Sequence, residues 1–447
     1  MNDPSLDAGP MPHPSGVRFL VLLALAFAAI LSYLLRTCLA VANTTVQGDL
    51  GLTDVSMGFA LAGFYFGYTW FQIPAGLVGD RFGARRSLAV MGALWACFML
   101  MTATARSFSV LQASQVAQGV AQAGLFAVTI KALAVWFPAS RRGMTSAVIT
   151  ACMSVGAVVA TSLTGRLIVP VGWRVTFLLY AVAAAAWALV FYAWFRDRPE
   201  QHGSVNPSEL ALIQAGQATK PKHFVRAGST LAALIGMATS LSMWALCVQA
   251  FFRAFGYALW VTWFPAYLEK AHGLSIQRAG ELTSWPLIGV VIGAFVGGWI
   301  VDAILVRTGS RRLSRSVVAA CALGTCGLLT FASAYVQNPY IVVGILSLGA
   351  LISAFAGPTT WAATMDLCPE HSAVGFAVMN MAGNFGAMVC PVVVGYQFDL
   401  IQKTHGGWEA VLYLFAGVYL AGAVAWLFLN PNRPASSLEN LQVDHLT

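Results

Sequence analysis

Charged residues are scarce in this 447-residue sequence. Only 9% of the residues are Asp, Glu, Lys or Arg, whereas 58% are hydrophobic and the mean hydropathy is +0.72. An average soluble domain carries about 25% charged residues. The composition therefore excludes an ordinary water-soluble domain and predicts a membrane protein.

Titratable side chains are rarer still inside the apolar stretches. No His, Asp or Glu lies in the middle of any long apolar run, and the eight cysteines form no CxxC pair. An enzyme working within the membrane needs acid–base, nucleophilic or metal-binding groups at that depth. The sequence therefore argues against an enzyme and predicts no cofactor and no metal site.

Long apolar runs are what the sequence has in abundance. A membrane-spanning helix needs about 20 predominantly apolar residues. Twelve such runs occur, at 18–42, 56–77, 87–105, 108–136, 142–168, 172–195, 241–268, 279–304, 314–334, 339–365, 371–399 and 408–430. We predict an all-α membrane protein with two pseudo-symmetric six-helix bundles, formed by 1–195 and 231–447 and joined by the polar loop 196–230.

Lysines and arginines are distributed unevenly between the two sets of connections. Most lie in the tails, in the long loop and after the second, fourth and eighth runs. The other connections hold only Arg106, Arg174, Lys270, Arg278 and Lys403. Because loops on the cytoplasmic side are rich in these residues, both termini are predicted to be cytoplasmic in a multi-pass protein of the cell inner membrane. The net charge of +8 then reports topology, and we expect a monomer in the lipid bilayer with no nucleic-acid partner.

The two halves of the sequence share a repeat. The segments "GLTDVSMGFALAGFYFGYTWFQIPAGLVGD" and "GLSIQRAGELTSWPLIGVVIGAFVGGWIVD" align at a constant offset of 222 residues. The shared positions are Gly51, Leu52, Gly58, Gly67, Gly76 and Asp80, which match Gly273, Leu274, Gly280, Gly289, Gly298 and Asp302. Repeated bundles of this kind rock about a midplane site in many transporters, so the repeat predicts transport.

A charged motif follows the first copy of the repeat. The stretch "GLVGDRFGARR" has the pattern G-x-x-x-D-R-x-G-x-R-R, and a degenerate copy occurs from Gly298 to Arg312. A glycine at the start would allow close helix approach, and the aspartate can pair with arginines or a helix N-terminus. We predict a gate at the cytoplasmic face formed by Gly76, Asp80, Arg81, Gly83, Arg85 and Arg86, with Asp302 in the copy.

The motif, the twelve runs and the repeat together resemble the major facilitator superfamily over essentially the whole chain. Within it the sequence is most similar to the anion:cation symporter family of organic-acid transporters. The residues that carry this likeness are "YLLR" in the first run, "YTWFQIPAGLVGDRFG" in the second, "WFPASRRG" after the fourth, "TWFPAYL" ending the seventh and "MNMAGNFG" in the eleventh. The resemblance implies alternating-access transport of a small organic anion. The organophosphate antiporters also carry Tyr-x-x-Arg in the first helix.

Arg36 lies inside the first apolar run, where an arginine costs roughly 2.5 to 3.5 kcal/mol on insertion scales. Tyr33 and Asn43 fall on the same helical face as Arg36. Because no acid lies at mid-span, the expected counter-ion of Arg36 is a substrate anion. Arg253 in the seventh run is a second candidate, either as an anion contact or with a role at the inner mouth or in packing.

The family resemblance implies further residues of the central site. The matching aromatic and amide positions here are Tyr68, Trp361, Asn380 and Asn384. Proton-driven members carry an acid and a charged pair at positions that read Leu35, Gln115 and Gln122 in this chain. Since glutamine does not titrate, we assign Gln115 and Gln122 a hydrogen-bonding role. Coupling of anion transport to an energy source would then use a residue at a helix end, a protonated substrate or a counter-anion.

Three other functions remain alternatives at this stage. An anion or organophosphate exchanger would also use Arg36, whereas an exporter of drugs or neutral solutes would leave that charge uncompensated. A transport-inactive sensor would have only the loop and the tails as soluble parts. A guanidinium pairs equally with carboxylate, sulfonate and phosphonate, so the sequence leaves the anion open, as it does the direction of transport.

Overall fold

A computed structural model describes residues 13–138, 141–215, 235–368 and 372–432, and the described chain is almost entirely helical. The helices are α1 Val17–Val41, α2 Asn43–Leu50, α3 Asp54–Ala103, α4 Phe108–Gln122, α5 Leu125–Trp136, α6 Arg142–Trp194, α7 Pro207–Ala215, α8 Leu241–Thr262, α9 Phe264–His272, α10 Ile276–Thr308, α11 Val318–Ser333, α12 Pro339–Ser353, α13 Ala356–Leu367, α14 Ser372–Thr404 and α15 Glu409–Leu427.

These helices make the twelve crossings of the membrane that the sequence predicted. Ten described segments are long and apolar enough to span a bilayer, and one of them, Met144–Trp194, holds two crossings. The remaining crossing is the first part of α3, which is less apolar because it carries tyrosines and a glutamine. We number the crossings as spans 1 to 12. In the N-terminal half, span 1 is α1 and span 4 is α4 with α5. In the C-terminal half, span 7 is α8, span 8 is α10, span 9 is α11, span 10 is α12 with α13, span 11 is α14 and span 12 is α15.

Two glycines divide the longest helices. Gly83 (φ 80°, ψ 168°) separates span 2 from span 3 within α3, and Gly172 (φ 77°, ψ 164°) separates span 5 from span 6 within α6. This backbone conformation is essentially restricted to glycine. Both pairs of runs were predicted as separate helices, and the structure joins them through these single-residue turns.

Spans 1 and 7 continue beyond the apolar segments as the short helices α2 and α9. The two helices occupy equivalent positions in the repeat, and each ends at a glycine with positive φ, Gly51 (62°) and Gly273 (65°). We call the face that carries α2 and α9 the opposite face. The other, terminal face is where Glu209 after span 6 accepts from the N–H of Val17, and where the backbone N–H of Asn430 donates to Ser242 Oγ (3.1 Å).

Equivalent glycines bring the two halves together. A Cβ at Gly58 in span 2 would lie 2.5 Å from the carbonyl oxygen of Pro391 in span 11. A Cβ at Gly280 in span 8 would lie 2.4 Å from that of Thr161 in span 5. The repeat is therefore also a repeat of packing, in which span 2 meets span 11 as span 8 meets span 5.

Candidate functional site

Arg36 lies within a cage of four aromatic rings. Its guanidinium carbon is 4.7 Å from the ring centroids of Phe64 and Tyr65, 5.3 Å from Tyr33 and 5.4 Å from Tyr68. Three of these rings belong to span 2 and the fourth to span 1. Such contacts stabilise a cation by about 0.5 to 2 kcal/mol each, so the cage lowers the cost of holding Arg36 at this depth.

The rings do not neutralise the charge of Arg36. None of the ion pairs between described residues includes it, and its Nε is buried without a hydrogen-bond acceptor. A guanidinium presents five N–H donors in a planar fork, which fits the oxygens of a carboxylate, sulfonate or phosphate. The site is therefore a buried cation whose chemistry suits an oxyanion.

A second buried cation lies in the other half of the protein. Arg253 on span 7 also has a buried Nε without an acceptor and has no ion pair within the described ranges. Tyr257, one turn along the same helix, interacts electrostatically with both Arg36 and Arg253. Spans 1 and 7, which are equivalent in the repeat, thus each contribute one unneutralised arginine beside Tyr257.

The two glutamines predicted for the site are buried in span 4. Gln115 donates weakly from Nε2 to Thr102 Oγ1 of span 3 at 3.5 Å, and the Nε2 of Gln122 is buried without a partner. Between them, Gln118 is 1% exposed and neither end of its amide has a hydrogen-bond partner. The structure describes no contact between these amides and Arg36, so they form a separate polar stripe in the N-terminal half.

Of the three site residues predicted on spans 10 and 11, Trp361 and Asn380 have partners other than Arg36 in this conformation. The Trp361 ring packs on Phe376 with centroids 4.2 Å apart and is 49% exposed. Asn380 Nδ2 donates to Gln72 Oε1 of span 2 at 3.2 Å, and so connects the two halves. Asn384 has a buried, unpartnered Nδ2.

Asn43, which shares a helical face with Arg36 in an ideal helix, is also displaced from it. Its Oδ1 accepts from Gln47 Nε2 at 2.7 Å, at the junction where α1 ends and α2 begins. The break at Ala42 changes the direction of the helix. Only Tyr33 of the predicted pair therefore reaches the cage.

Most of the predicted gate residues lie on the terminal face. The backbone N–H of Arg85 donates to Asp197 Oδ1 (2.8 Å), and its Nε donates to the carbonyl oxygen of Tyr192 (2.9 Å). Gly83 makes the turn just before it, and a Cβ there would lie 2.7 Å from Asp197 Oδ2. Arg85 thus ties span 3 to the end of span 6 within one half. Arg81 and Arg86 are exposed on this face, and the side chain of Asp80 lies outside the described residues.

The close helix approach predicted for Gly76 is wrong for this structure. A Cβ at Gly76 would meet nothing within 4 Å, whereas one at Gly79 would lie 2.4 Å from Val128 Cγ2. In the second half, Asp302 is exposed and makes no ion pair with another described residue. The carboxylate that binds arginines there is Asp366, 3.2 Å from Arg315 Nε.

A polar network seals the opposite face. Lys270 on α9 forms an ion pair with Asp54 at the start of span 2, and Asp54 Oδ2 also accepts from Gln402 Nε2 of span 11 at 2.9 Å. A second ion pair joins Arg166 on span 5 to Glu281 on span 8 at 2.9 Å. Both pairs cross between the halves. Sequence reasoning missed them because each residue, taken alone, is an ordinary charge at a helix end.

The halves leave a space between them on the side of the terminal face. A cavity of about 790 Å³ lies there between spans 2, 7 and 11. Its wall includes Gln72, Trp244, Cys247, Met381 and Phe385. Together with the ion pairs, this cavity describes a conformation that is closed at the opposite face.

Sequence reasoning also missed Phe64, Tyr65 and Tyr257. A usable signal was present in "FYFGY", which places Phe64 and Tyr68 one turn apart on span 2 with Tyr65 beside them. Recognising their role required knowing that this face of span 2 packs against span 1.

Comparisons with known proteins agree with the fold. The sequence model of the Major Facilitator Superfamily matches residues 25–391. A probable sulfoacetate transporter of Cupriavidus necator is 27% identical over 93% of this chain and 94% of its own length. A probable galactarate/D-glucarate transporter of Escherichia coli is 29% identical, with 95% of each chain covered.

The solved structures include a bacterial homologue of the human lysosomal transporter Spinster in an inward-facing, unoccupied conformation. It is 17% identical, with a TM-score of 0.73 and coverage of 94% of this chain and 95% of that one. This likeness concerns the fold, whose twelve helices in two bundles were predicted. The chain belongs to the Major Facilitator Superfamily and is a transporter, not an enzyme.

Proposed function

We propose that this protein carries a small organic anion across the cytoplasmic membrane by alternating access, with Arg36 as the anchor of the anion. The observation that carries the proposal is the buried guanidinium of Arg36, held by aromatic rings and left without a carboxylate. A charge at this depth needs a partner, and a bound oxyanion supplies one. The names of the relatives, which include transporters of sulfoacetate and of galactarate or glucarate, support the same class of substrate.

The remaining polar residues divide between the two halves. Tyr33 and Tyr68 stand beside Arg36 and present hydroxyl groups to a bound ligand. Arg253 is assigned to a second acidic or polar group of the substrate. We assign Gln115, Gln122, Trp361, Asn380 and Asn384 to contacts that form when the two halves reorient around the ligand.

The transport cycle follows from the sealed opposite face. The lysine and arginine distribution makes the terminal face cytoplasmic, so the described conformation opens towards the cell interior. The bundles 1–195 and 231–447 rock as units in a monomer, and the arginine-rich turns around Arg85 hold the alternative, closed cytoplasmic gate. The expected direction is uptake, and the expected energy source is either a proton gradient or exchange for a counter-anion.

Exchange of organophosphates is the second candidate, and the presence of a second unneutralised cation at Arg253 favours it. A phosphate ester carries up to two negative charges and would engage both arginines. A carrier of neutral solutes would leave both charges unneutralised in the bound state, which is why we place it below either anion carrier.

A thermal-shift screen of the purified protein tests the proposal. Wild type, Arg36→Ala and a control, Arg106→Ala, are melted with glucarate, galactonate, sulfoacetate, glycerol phosphate and glucose. Arg106 is an exposed arginine on the opposite face and lies far from the cage. A ligand at about 100 times its Kd stabilises by roughly 2.7 kcal/mol.

We expect one class of anion to stabilise wild type and Arg106→Ala but not Arg36→Ala. Stabilisation by glycerol phosphate alone would favour the exchanger. Equal stabilisation of all three proteins by glucose, with no effect of any anion, would refute the assignment.

A further inference from the structure

We propose that Glu269 is the proton-binding group that couples pH to the opening of the opposite face. Glu269 lies on α9, at the seam where the C-terminal half meets the N-terminal half. The inference rests on the proposed transport cycle, because closure of the opposite face is one step of that cycle and a proton bound at this seam would favour it. It assigns a proton-binding residue to a chain that has Leu35, Gln115 and Gln122 at the positions where the family resemblance implies charged residues.

The geometry of the seam sets Glu269 apart from the other acids. Its Oε2 accepts one hydrogen bond, from Thr44 Oγ1 of α2 in the other half at 2.6 Å, and its Oε1 is buried without any partner. The neighbouring Asp54, in contrast, accepts from Lys270, from Gln47 Nε2 (2.9 Å) and from Gln402 Nε2 (2.9 Å). Lys270 is therefore already engaged, and Glu269 is the acid with an unsatisfied oxygen.

The internal repeat provides a built-in comparison. At the offset of 222 residues, the counterpart of Glu269 on α2 is Gln47. Both ends of the Gln47 amide are bonded, because Nε2 donates to Asn43 Oδ1 (2.7 Å) and Oε1 accepts from Lys270 Nζ (3.3 Å). The same position thus holds a fully bonded neutral amide in one half and an underbonded carboxyl group in the other.

The surrounding charges compensate Glu269 only in part, because Lys270, the cation beside it, forms its ion pair with Asp54. The other titratable groups on the elements around it are Lys270 and His272 on α9, Asp49 on α2, Asp54 on span 2, Arg278 and Glu281 on span 8, Asp399 and Lys403 on span 11, His405 after span 11, and Glu409 on span 12. Among these acids, Asp49, Asp54, Glu281 and Asp399 are each in an ion pair. Glu409 is exposed, so Glu269 is the half-buried acid of this group that has no ion pair.

Burial raises the pKa of Glu269 to about 7 from its usual value near 4.5, against the opposing effects of the Thr44 hydrogen bond and the charge of Lys270. A group whose pKa is higher in the closed than in the open conformation binds its proton on closure. Acidic pH therefore favours the closed opposite face. When the halves part there and water reaches the carboxyl group, the proton leaves.

The test measures the conformation and needs no substrate. Gly48 on α2 and Gln277 at the start of span 8 are exposed and lie in different halves, so spin labels at Gly48→Cys and Gln277→Cys report the width of the opposite face. The exposed native Cys97 and Cys321 are replaced by serine. The labelled protein is measured in lipid nanodiscs from pH 5 to pH 8.5, with size-exclusion profiles to confirm that each variant is folded.

We expect the wild-type ratio of open to closed molecules to rise with pH, by up to about tenfold per unit between roughly pH 5 and pH 7, as linkage to one proton requires. Glu269→Gln should remain closed across this range, whereas Glu269→Asp and the control Asp399→Asn should keep the response. A wild type without pH response, or a Glu269→Gln that responds like wild type, would overturn the inference. Because no anion is added, failure of the anion assignment would leave this result unaffected.

Discussion

Arg36 is surrounded by ring faces instead of carboxylates, and this determines what its replacement does to the empty protein. A charged group buried without a counter-ion opposes folding by several kcal/mol, and cation–π contacts offset only part of that cost. The cage thus favours ligand binding at the expense of stability in the absence of ligand. An arginine with a structural role would instead stabilise the protein in the absence of ligand.

Replacing Arg36 by methionine should therefore leave the melting temperature of the ligand-free protein unchanged or raise it. Methionine fills a similar volume between the rings and removes the unpaired charge. The matched control is Arg174→Met, because Arg174 pairs with Asp49 and donates to the carbonyl oxygen of Ala105 (3.1 Å). That control should lower the melting temperature.

Differential scanning fluorimetry of the two purified variants without added anion measures this difference. If Arg36→Met melts below wild type, in the same direction as Arg174→Met, then Arg36 stabilises the empty fold, which contradicts its assignment to a ligand.

The sequence predicted part of the cage around Arg36. The position of Arg36 in an apolar run, with no acid at mid-span, identified the charge, and helical spacing identified Tyr33. Phe64 and Tyr65 were missed because their role depends on which face of span 2 packs against span 1. Asn43 was misplaced because nothing in its neighbourhood signals the break at Ala42.

Helix α7, in the loop between the halves, is held at the start of span 1 by the carboxylate of Glu209 and, just before the helix, by Asn206, which bonds to His13 and Ser15. Glu209 accepts from the backbone N–H groups of Val17 (3.1 Å) and Arg18 (3.0 Å) and from the hydroxyl of Ser15. Burial opposes ionisation of Glu209, but the hydrogen bonds from Ser15, Arg18 and Val17 outweigh it and hold its pKa below the usual value. The carboxylate acts as an anion bound at the N-terminus of a helix.

Glu209→Gln should loosen α7 at neutral pH by about 1.5 to 3 kcal/mol, the range for a hydrogen bond to a charged group. A group with a depressed pKa stabilises above its usual pKa, and that stabilisation is lost as the pH falls through the lower value in the folded state. Wild-type docking should therefore be insensitive to pH from 6 to 8 and should weaken below about pH 4.

Hydrogen exchange in residues 14–18 and 207–215 reports the docking of α7. Arg198→Gln, at an exposed position of the same loop, is the control and should exchange like wild type. Equal protection of both segments in wild type and Glu209→Gln would show that other contacts hold the helix.

The repeated glycines at the interfaces between the halves form a second test of the helical elements. Alanine at Gly58 or Gly280 would place a methyl group about 2.5 Å from a backbone oxygen of the other half, which has no flexible side chain to move. Overpacking of this kind typically costs 1 to 3 kcal/mol. Both variants should widen the opposite face, because they press on equivalent interfaces.

Gly76→Ala is the matched control, since a Cβ there meets nothing within 4 Å. The label pair at positions 48 and 277 measures the separation of the halves in all three variants. If Gly58→Ala and Gly280→Ala keep the wild-type distance, the two glycine contacts do not define the closed state.

The helices themselves followed well from hydropathy, because each span needs a long apolar run and the runs are separated by polar connections. The joining of spans 2 and 3 and of spans 5 and 6 did not, because hydropathy separates apolar runs but does not show that a turn at a single glycine connects their helices. The 222-residue repeat was read as a sign of transport, and the structure adds that Gly58 and Gly280 make equivalent close contacts. The close approach predicted from the charged motif was wrong at Gly76, where the neighbouring Gly79 makes the contact instead.

At the scale of the whole molecule, the sequence predicted two bundles but not the conformation they adopt. The closed opposite face depends on small differences between pairs such as Lys270 with Asp54 and Arg166 with Glu281. Such partners lie far apart in the chain, and each of them alone is an ordinary charged residue at a helix end. The choice of open face is a balance between two assemblies of the same helices, and a linear pattern of hydropathy carries no information about that balance.

Transport in a reconstituted system tests the central claim that Arg36 anchors an organic anion during alternating access. Proteoliposomes are loaded with the unlabelled anion identified by thermal shift, and the entry of the labelled anion is followed by counterflow, without any imposed gradient. Wild type and Arg106→Ala should accumulate label to the same extent, whereas Arg36→Ala should fall to the level of empty liposomes. Counterflow by Arg36→Ala at the wild-type rate and affinity would contradict the account.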